Sequence, residues 1–193
     1  MFRLNLLILL CYVVVLAAMN NLAAQTTPND TTLISALLQN AEMSSHDSAA
    51  LYYQQVISFA NEKLAAASNL EIKQKLLLQL LKAQSGIGLI HYQKMEYTEA
   101  LNYYELALHS AQKADDPSAI GECLFNFGEV YLEQSRYKEA MEKYQEALDL
   151  YKQAGDSSGV FWCFLSMGIV QKQFGNFNDA VICYENALST AHD

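Results

Sequence analysis

The sequence predicts an all-α fold, a solenoid of antiparallel helix hairpins stacked one on the next. Three observations carry this. The first is an internal period of 40 residues, marked by Gly88, Gly128 and Gly168. In the same phase stand Tyr97, Tyr137 and Phe177, then Ala100, Ala140 and Ala180, then Tyr104, Tyr144 and Tyr184. Ala107, Ala147 and Ala187 follow, with Leu108, Leu148 and Leu188 beside them. Internal repeats of this length mark stacked architectures, in which no unit buries its apolar face alone. The second observation is helical spacing, with apolar residues recurring every three or four positions and no alternating strand pattern. The third is the scarcity of punctuation. Only 8 Gly and 2 Pro among 193 residues leave little turn chemistry for many short strands.

Composition narrows the function classes. Hydrophobic residues make up 52% and charged residues 17%, enough apolar material for a core along the chain. The net charge of −9 argues against nucleic acid, whose phosphates need a basic face.

The elements follow in order. Residues 1–24 resemble an export signal. Arg3 supplies a positive start, Leu6 to Met19 an apolar run, and Leu22-Ala23-Ala24 before Gln25 a cleavage site. The run is short for a spanning helix, which needs roughly 20 residues. Any contact with a membrane is expected only through this segment, if it is retained. A short linker covers 25–30. Residues 31–69 form a degenerate first hairpin, with helices over 31–43 and 47–67. The stretch 70–193 holds three repeats, at about 81–116, 117–156 and 157–193, and the first of them opens on a long helix over 70–93. In the middle repeat Asp116-Pro117 starts a helix, with an acidic cap and proline at the first helical position. It runs to about 134. After the break at Ser135-Arg136 a second helix spans 137–154 and ends at Gly155. The last helix covers about 177–191.

Glycine in mid-helix costs about 1 kcal/mol against alanine, so three in one phase need a packing reason. The expectation is that Gly128 faces Ala140, small against small, while Tyr104, Tyr144 and Tyr184 fill the space between successive hairpins. In the last helix Val181, Tyr184, Ala187 and Leu188 form a face still suited to stacking. This predicts self-association through the last hairpin, or cover from a partner or from further chain.

With these columns in place, the chain resembles the tetratricopeptide repeat (TPR) family over about residues 81–192. The matching features are the small residue of each first helix, the Ala-x3-aromatic-x2-Ala run of each second helix, and the aromatic that opens it. The period of 40 exceeds the family's usual 34, and the consensus proline after each second helix is missing. The resemblance implies a right-handed superhelix of about three full repeats behind the degenerate hairpin. Asp47-Ser48-Ala49 followed by Tyr52-Tyr53, ahead of 40-residue copies and behind a signal, also resembles the extracytoplasmic TPR sensor regions of bacterial histidine kinases and related regulators.

Chemistry is sparse. His46, His91, His109 and His192 stand apart from Cys and carboxylates at any metal-ligand spacing, and HExxH is absent. Gly86-Ile87-Gly88 lacks a third glycine and a preceding strand. No GxSxG elbow occurs. Past the signal, Cys123, Cys163 and Cys183 lie too far apart for a disulfide framework or a zinc site and read as small helix hydrophobes. The expectation is therefore a non-enzyme without cofactor or metal.

Where function is concerned, the resemblance implies a groove lined by the first helices. Its candidate residues are Tyr92, Glu122, Phe125, Asn126, Glu129, Trp162, Leu165 and Ile169, flanked by Lys82, Ser85, Leu89, Glu133, Ser166 and Gln173. Exposed aromatics there imply a protein or peptide ligand. Glu122, Glu129 and Glu133 favour one with Lys or Arg beside apolar anchors. Equally, Phe125, Trp162, Leu165 and Ile169 suit packing against a neighbouring hairpin, and one sequence does not fix helix rotation that finely. The carboxylate clamp of TPR co-chaperones is not expected, because of Ser85, Leu89, Asn126, Trp162 and Ser166, which stand at its places, only Asn126 fits and its cations are missing. Two functions follow as expectations. One is an exported, periplasmic or extracytoplasmic interaction module. The other is the sensory input domain of a membrane-bound signal-transduction protein.

Overall fold

The computed structural model describes residues 28–190. The expected signal at 1–24, residues 25–27 of the linker, and His192 lie outside the described residues, while residues 28–30, expected as linker, are already helical. Eight helices occupy the described chain, with no strand among them. They are α1 (Pro28–Glu42), α2 (His46–Ala66), α3 (Leu70–Gln93), α4 (Tyr97–Ala114), α5 (Pro117–Glu133), α6 (Tyr137–Ala154), α7 (Ser157–Gln173) and α8 (Phe177–Thr190). Every connection between them is two or three residues long.

Repetition of sequence becomes repetition of turn geometry. Met95, Ser135 and Gly175 sit 40 residues apart, and all have left-handed φ, at 61°, 58° and 78°. Each stops a first helix with the same pair of bonds. Ser135 N–H donates to the Leu132 carbonyl and Arg136 N–H to the Tyr131 carbonyl. Gly175 and Asn176 repeat the pair on Lys172 and Gln171. This is the Schellman arrangement, which satisfies carbonyls left over at a helix end. Gly155 ends α6 in the same way at φ 70°. Asp116 and Asp156 then cap α5 and α7, accepting from the N–H groups of Ala119 and Gly159 at 3.1 and 2.9 Å.

Helices pair as α1–α2, α3–α4, α5–α6 and α7–α8, and each second helix packs on the next first helix. The core therefore sits in the seams. Ala147, Leu148 and Tyr151 of α6 bury against Leu124 of α5 and against Val160 and Cys163 of α7. One seam earlier, Ala107 and Ala111 of α4 meet Leu81, Ala119 and Cys123. First helices also touch one another, α1 with α3, α3 with α5 and α5 with α7, more closely than successive second helices do. They form the inner layer of the stack.

The glycine column has a different partner from the one expected. A Cβ placed on Gly128 would meet three ring atoms of Tyr144 first, the nearest at 2.5 Å, and Gly88 and Gly168 face Tyr104 and Tyr184 in the same way. Ala140 packs in the cluster with Tyr144 and Val170. The ring thus lies between the two helices of its own hairpin and also reaches the next first helix. A phenol ring needs more room than one facing methyl, and glycine supplies it.

The last hairpin has an open face. Leu188 is 60% exposed, whereas its counterpart Leu148 is 2% exposed beneath α7. Val181 and Ile182 are exposed beside it, while Ala187 remains buried against the hairpin. Among the described residues, no helix is long and apolar enough to cross a membrane.

Candidate functional site

The inner layer presents α3, α5 and α7 side by side, and the candidate residues separate there by depth. Phe125 turns into the seam. Its ring centroid lies 5.4 Å from that of Tyr144, and it packs against both clusters that α5 forms with α6 and α7. It therefore serves the core more than the surface. Leu165, Ile169 and Asn126 are half-buried. Trp162 stays 51% exposed, edge-on to Phe161 at 5.2 Å, and Leu89 is exposed on α3.

Glu129 is not the free acid the sequence implied. It accepts hydrogen bonds from the Tyr144 hydroxyl at 2.6 Å and the Ser166 hydroxyl at 3.0 Å. Three helices, α5, α6 and α7, thus meet at one carboxylate, and bonds to a charged acceptor are the stronger kind. Burial pushes the Tyr144 phenol well above its ordinary range, and the Glu129 charge adds to it. The Tyr92 phenol on α3 is raised too, first by burial, then by the charges of Glu129 and Glu133. Of the three inner-face acids, Glu129 is therefore bonded into the fold, and Glu133 lies close enough to Tyr92 to raise its phenol.

Glu122 differs. Its side chain reaches solvent, yet the surrounding protein desolvates it enough to raise its carboxyl above the ordinary value, an effect that Lys82 opposes. Among the described residues neither Glu122 nor Lys82 forms an ion pair within 4 Å. Ser85 is buried, and its hydroxyl has no partner among the described residues.

A cleft missed by the sequence reading opens between α1 and α3. Its volume is about 340 Å³, and Ser35, Leu38, Gln39, Glu42, Lys75, Leu78, Gln79 and Lys82 line it. Gln79 closes its floor, donating to the Thr31 carbonyl and to Ser35, both at 2.8 Å. The first hairpin lacks the 40-residue phase, so no column pointed to these residues as neighbours.

The three cysteines among the described residues lie in or beside the core. Cys123 and Cys163 are fully buried, Cys183 is half-buried, and all three are free. Burial pushes the first two thiols up to about 12. Among the described residues no group of three or more His, Cys, Asp or Glu side chains is placed to hold a metal ion.

Comparison with known proteins agrees with this architecture. The family model for the tetratricopeptide repeat matches residues 79–153. No curated protein matches the chain in sequence. Among solved structures, aspartyl phosphate phosphatase F from Bacillus subtilis superposes with a TM-score of 0.65 at 14% identity, covering 86% of this chain and 42% of that one. RapI in its apo form gives 0.58 at 16%, covering 85% and 70%. A Rap protein in complex with Competence and Sporulation Factor gives 0.58 at 17%, covering 80% and 43%. At such identities the likeness is one of fold. Residues 79–153 are thus tetratricopeptide repeats, set in a TPR-like solenoid of helix hairpins.

Proposed function

We propose that this chain is an exported, non-catalytic interaction module that holds a protein or peptide segment along the inner face of α3, α5 and α7. The observation that carries the reading is the half-exposed indole of Trp162 on the inner layer. With Leu89, Leu165 and Ile169 it leaves apolar surface unburied in a stack whose seams are otherwise filled. Such surface is a feature of grooves that receive an extended or helical segment. Among the described residues, connections of two or three residues leave no loop on which to assemble a reactive site, which supports a binding role over catalysis. A Rap protein of the same fold has been solved with Competence and Sporulation Factor bound, which supports a macromolecular or peptide ligand for such a stack.

Export rests on Arg3, the apolar run Leu6 to Met19 and Ala23-Ala24 before Gln25. A sensory input domain of a longer signalling chain would use the same inner face, and the binding test below applies to it unchanged.

The test is an unbiased peptide screen against wild type and a Leu89→Ala, Trp162→Ala double variant. Both residues are exposed, so the variant keeps its fold. Loss of most hits supports the groove. Equal retention of every hit places binding elsewhere. Amino-terminal sequencing of the exported protein checks the leader, with Gln25 as the expected first residue.

A further inference from the structure

We propose that the inner face selects an extended segment in which a basic residue lies between an acidic and an aromatic or apolar one, at three-residue intervals. This rests on the groove reading above and adds the order of side chains that the groove recognises.

One repeat column carries the inference. Lys82, Glu122 and Trp162 occupy the same phase, 40 residues apart, on α3, α5 and α7. All three are exposed on helices that touch in that order. Along the inner layer the surface therefore changes from cation to anion to indole. The neighbouring acids do not blur this order. Glu129 is engaged by Tyr144 and Ser166, and Glu133 lies 11 residues along α5 from Glu122, at the far end of that helix. Glu122 is the acid in phase with Lys82 and Trp162, and it forms no ion pair among the described residues.

The cationic end has depth. Lys75 and Lys82 both line the α1–α3 cleft, and neither forms an ion pair among the described residues. Glu42 on the opposite rim leaves the lining one charge positive, and Leu38 and Leu78 supply apolar wall for a carboxylate's methylene stem. At the other end Trp162 offers an indole face to an apolar or cationic side chain.

Spacing follows from geometry. Packed helices lie about 8–10 Å apart. An extended chain advances about 3.3 Å per residue. One helix step thus corresponds to about three residues of ligand, and the matching segment reads acid-x-x-base-x-x-apolar along the direction from α3 to α7.

The experiment uses the full-length chain and fluorescein-labelled 12-residue peptides of one composition, read by anisotropy and by Trp162 emission. Asp, Lys and Leu are placed three apart with Lys central, in both chain directions. Two control orders put Asp or Leu at the centre. The Lys-centred order, in one of its directions, is expected to bind at least about tenfold tighter than either control, since the Asp-centred order sets a like charge opposite Glu122 and the Leu-centred order leaves Glu122 facing an apolar side chain in place of its cation. A Lys82→Glu, Glu122→Lys swap conserves net charge and should transfer the preference to the Asp-centred order. If the swap fails to fold, Glu122→Gln should erase the advantage of a central Lys. Equal binding of all orders overturns the register while leaving the groove in place. Absence of binding by every order, alongside hits from the unbiased screen, also overturns it, and absence of hits there too overturns the groove.

Discussion

Gly128→Ala adds one methyl at a position where the structure leaves no room for it. The new Cβ would stand 2.5 Å from Cε1, 2.7 Å from Cδ1 and 3.0 Å from Cζ of Tyr144. That ring is fully buried, its hydroxyl is bonded to Glu129 at 2.6 Å, and Phe125 leans on it at 5.4 Å. Moving it breaks a bond to a charged acceptor, a contribution of about 1.5–3 kcal/mol. Leaving it in place overpacks the hairpin, at about 1–3 kcal/mol. Alanine's helical advantage of about 1 kcal/mol offsets part of either cost. The net expectation is destabilisation by about 1–2 kcal/mol, against the ordinary gain from removing glycine in mid-helix. Gly121 in the same helix is the control. There a Cβ would meet Tyr151 at 3.3 Å, so a shift of a few tenths of an ångström suffices and Gly121→Ala should be neutral or mildly stabilising. Urea unfolding followed by helical circular dichroism measures both. With a slope of about 2 kcal/mol/M, Gly128→Ala should lower the midpoint by about 0.5–1 M. A midpoint that rises, or an equal fall for Gly121→Ala, would show that ring clearance does not decide the cost.

Further expectations concern a turn, a carboxyl and the thiols. Ser135→Gly should stabilise by about 1 kcal/mol, because Ser135 holds φ 58° where the third repeat already has Gly175; an unchanged midpoint would remove strain from the account. Glu122 has a raised carboxyl, so the folded state binds more protons than the unfolded one between the ordinary value of 4.5 and the raised value, and stability falls as pH rises through that window. Glu122→Gln should therefore raise the denaturant midpoint at pH 7 and change it little in acid, whereas a lower midpoint at pH 7 would contradict the desolvation of this group. Under native conditions at pH 8, maleimide should label Cys183 well before Cys123 or Cys163, whose thiols are buried and pushed up to about 12; equal labelling would mean that the seams open freely.

By itself the sequence determined the class, the helix pairing and the turns of the repeating region. A period of 40 is a statement about phase, and phase identifies which positions are equivalent. Asp116-Pro117 and Gly155 are local signals whose partners lie within one turn, so they could be read without a fold. Tertiary structure decided what equivalent positions touch. Successive side chains point about 100° apart around a helix, so a small rotation separates Phe125, turned into a seam, from Trp162, left in solvent. Glu129 looked like a free acid because its partners Tyr144 and Ser166 lie 15 and 37 residues away. The α1–α3 cleft was invisible for a related reason, since the first hairpin lies outside the repeat phase and only packing brings Ser35 to Gln79. Local bonds and periodicity are written along the chain, while clearance, burial and the pairing of distant charges exist only once the helices have stacked.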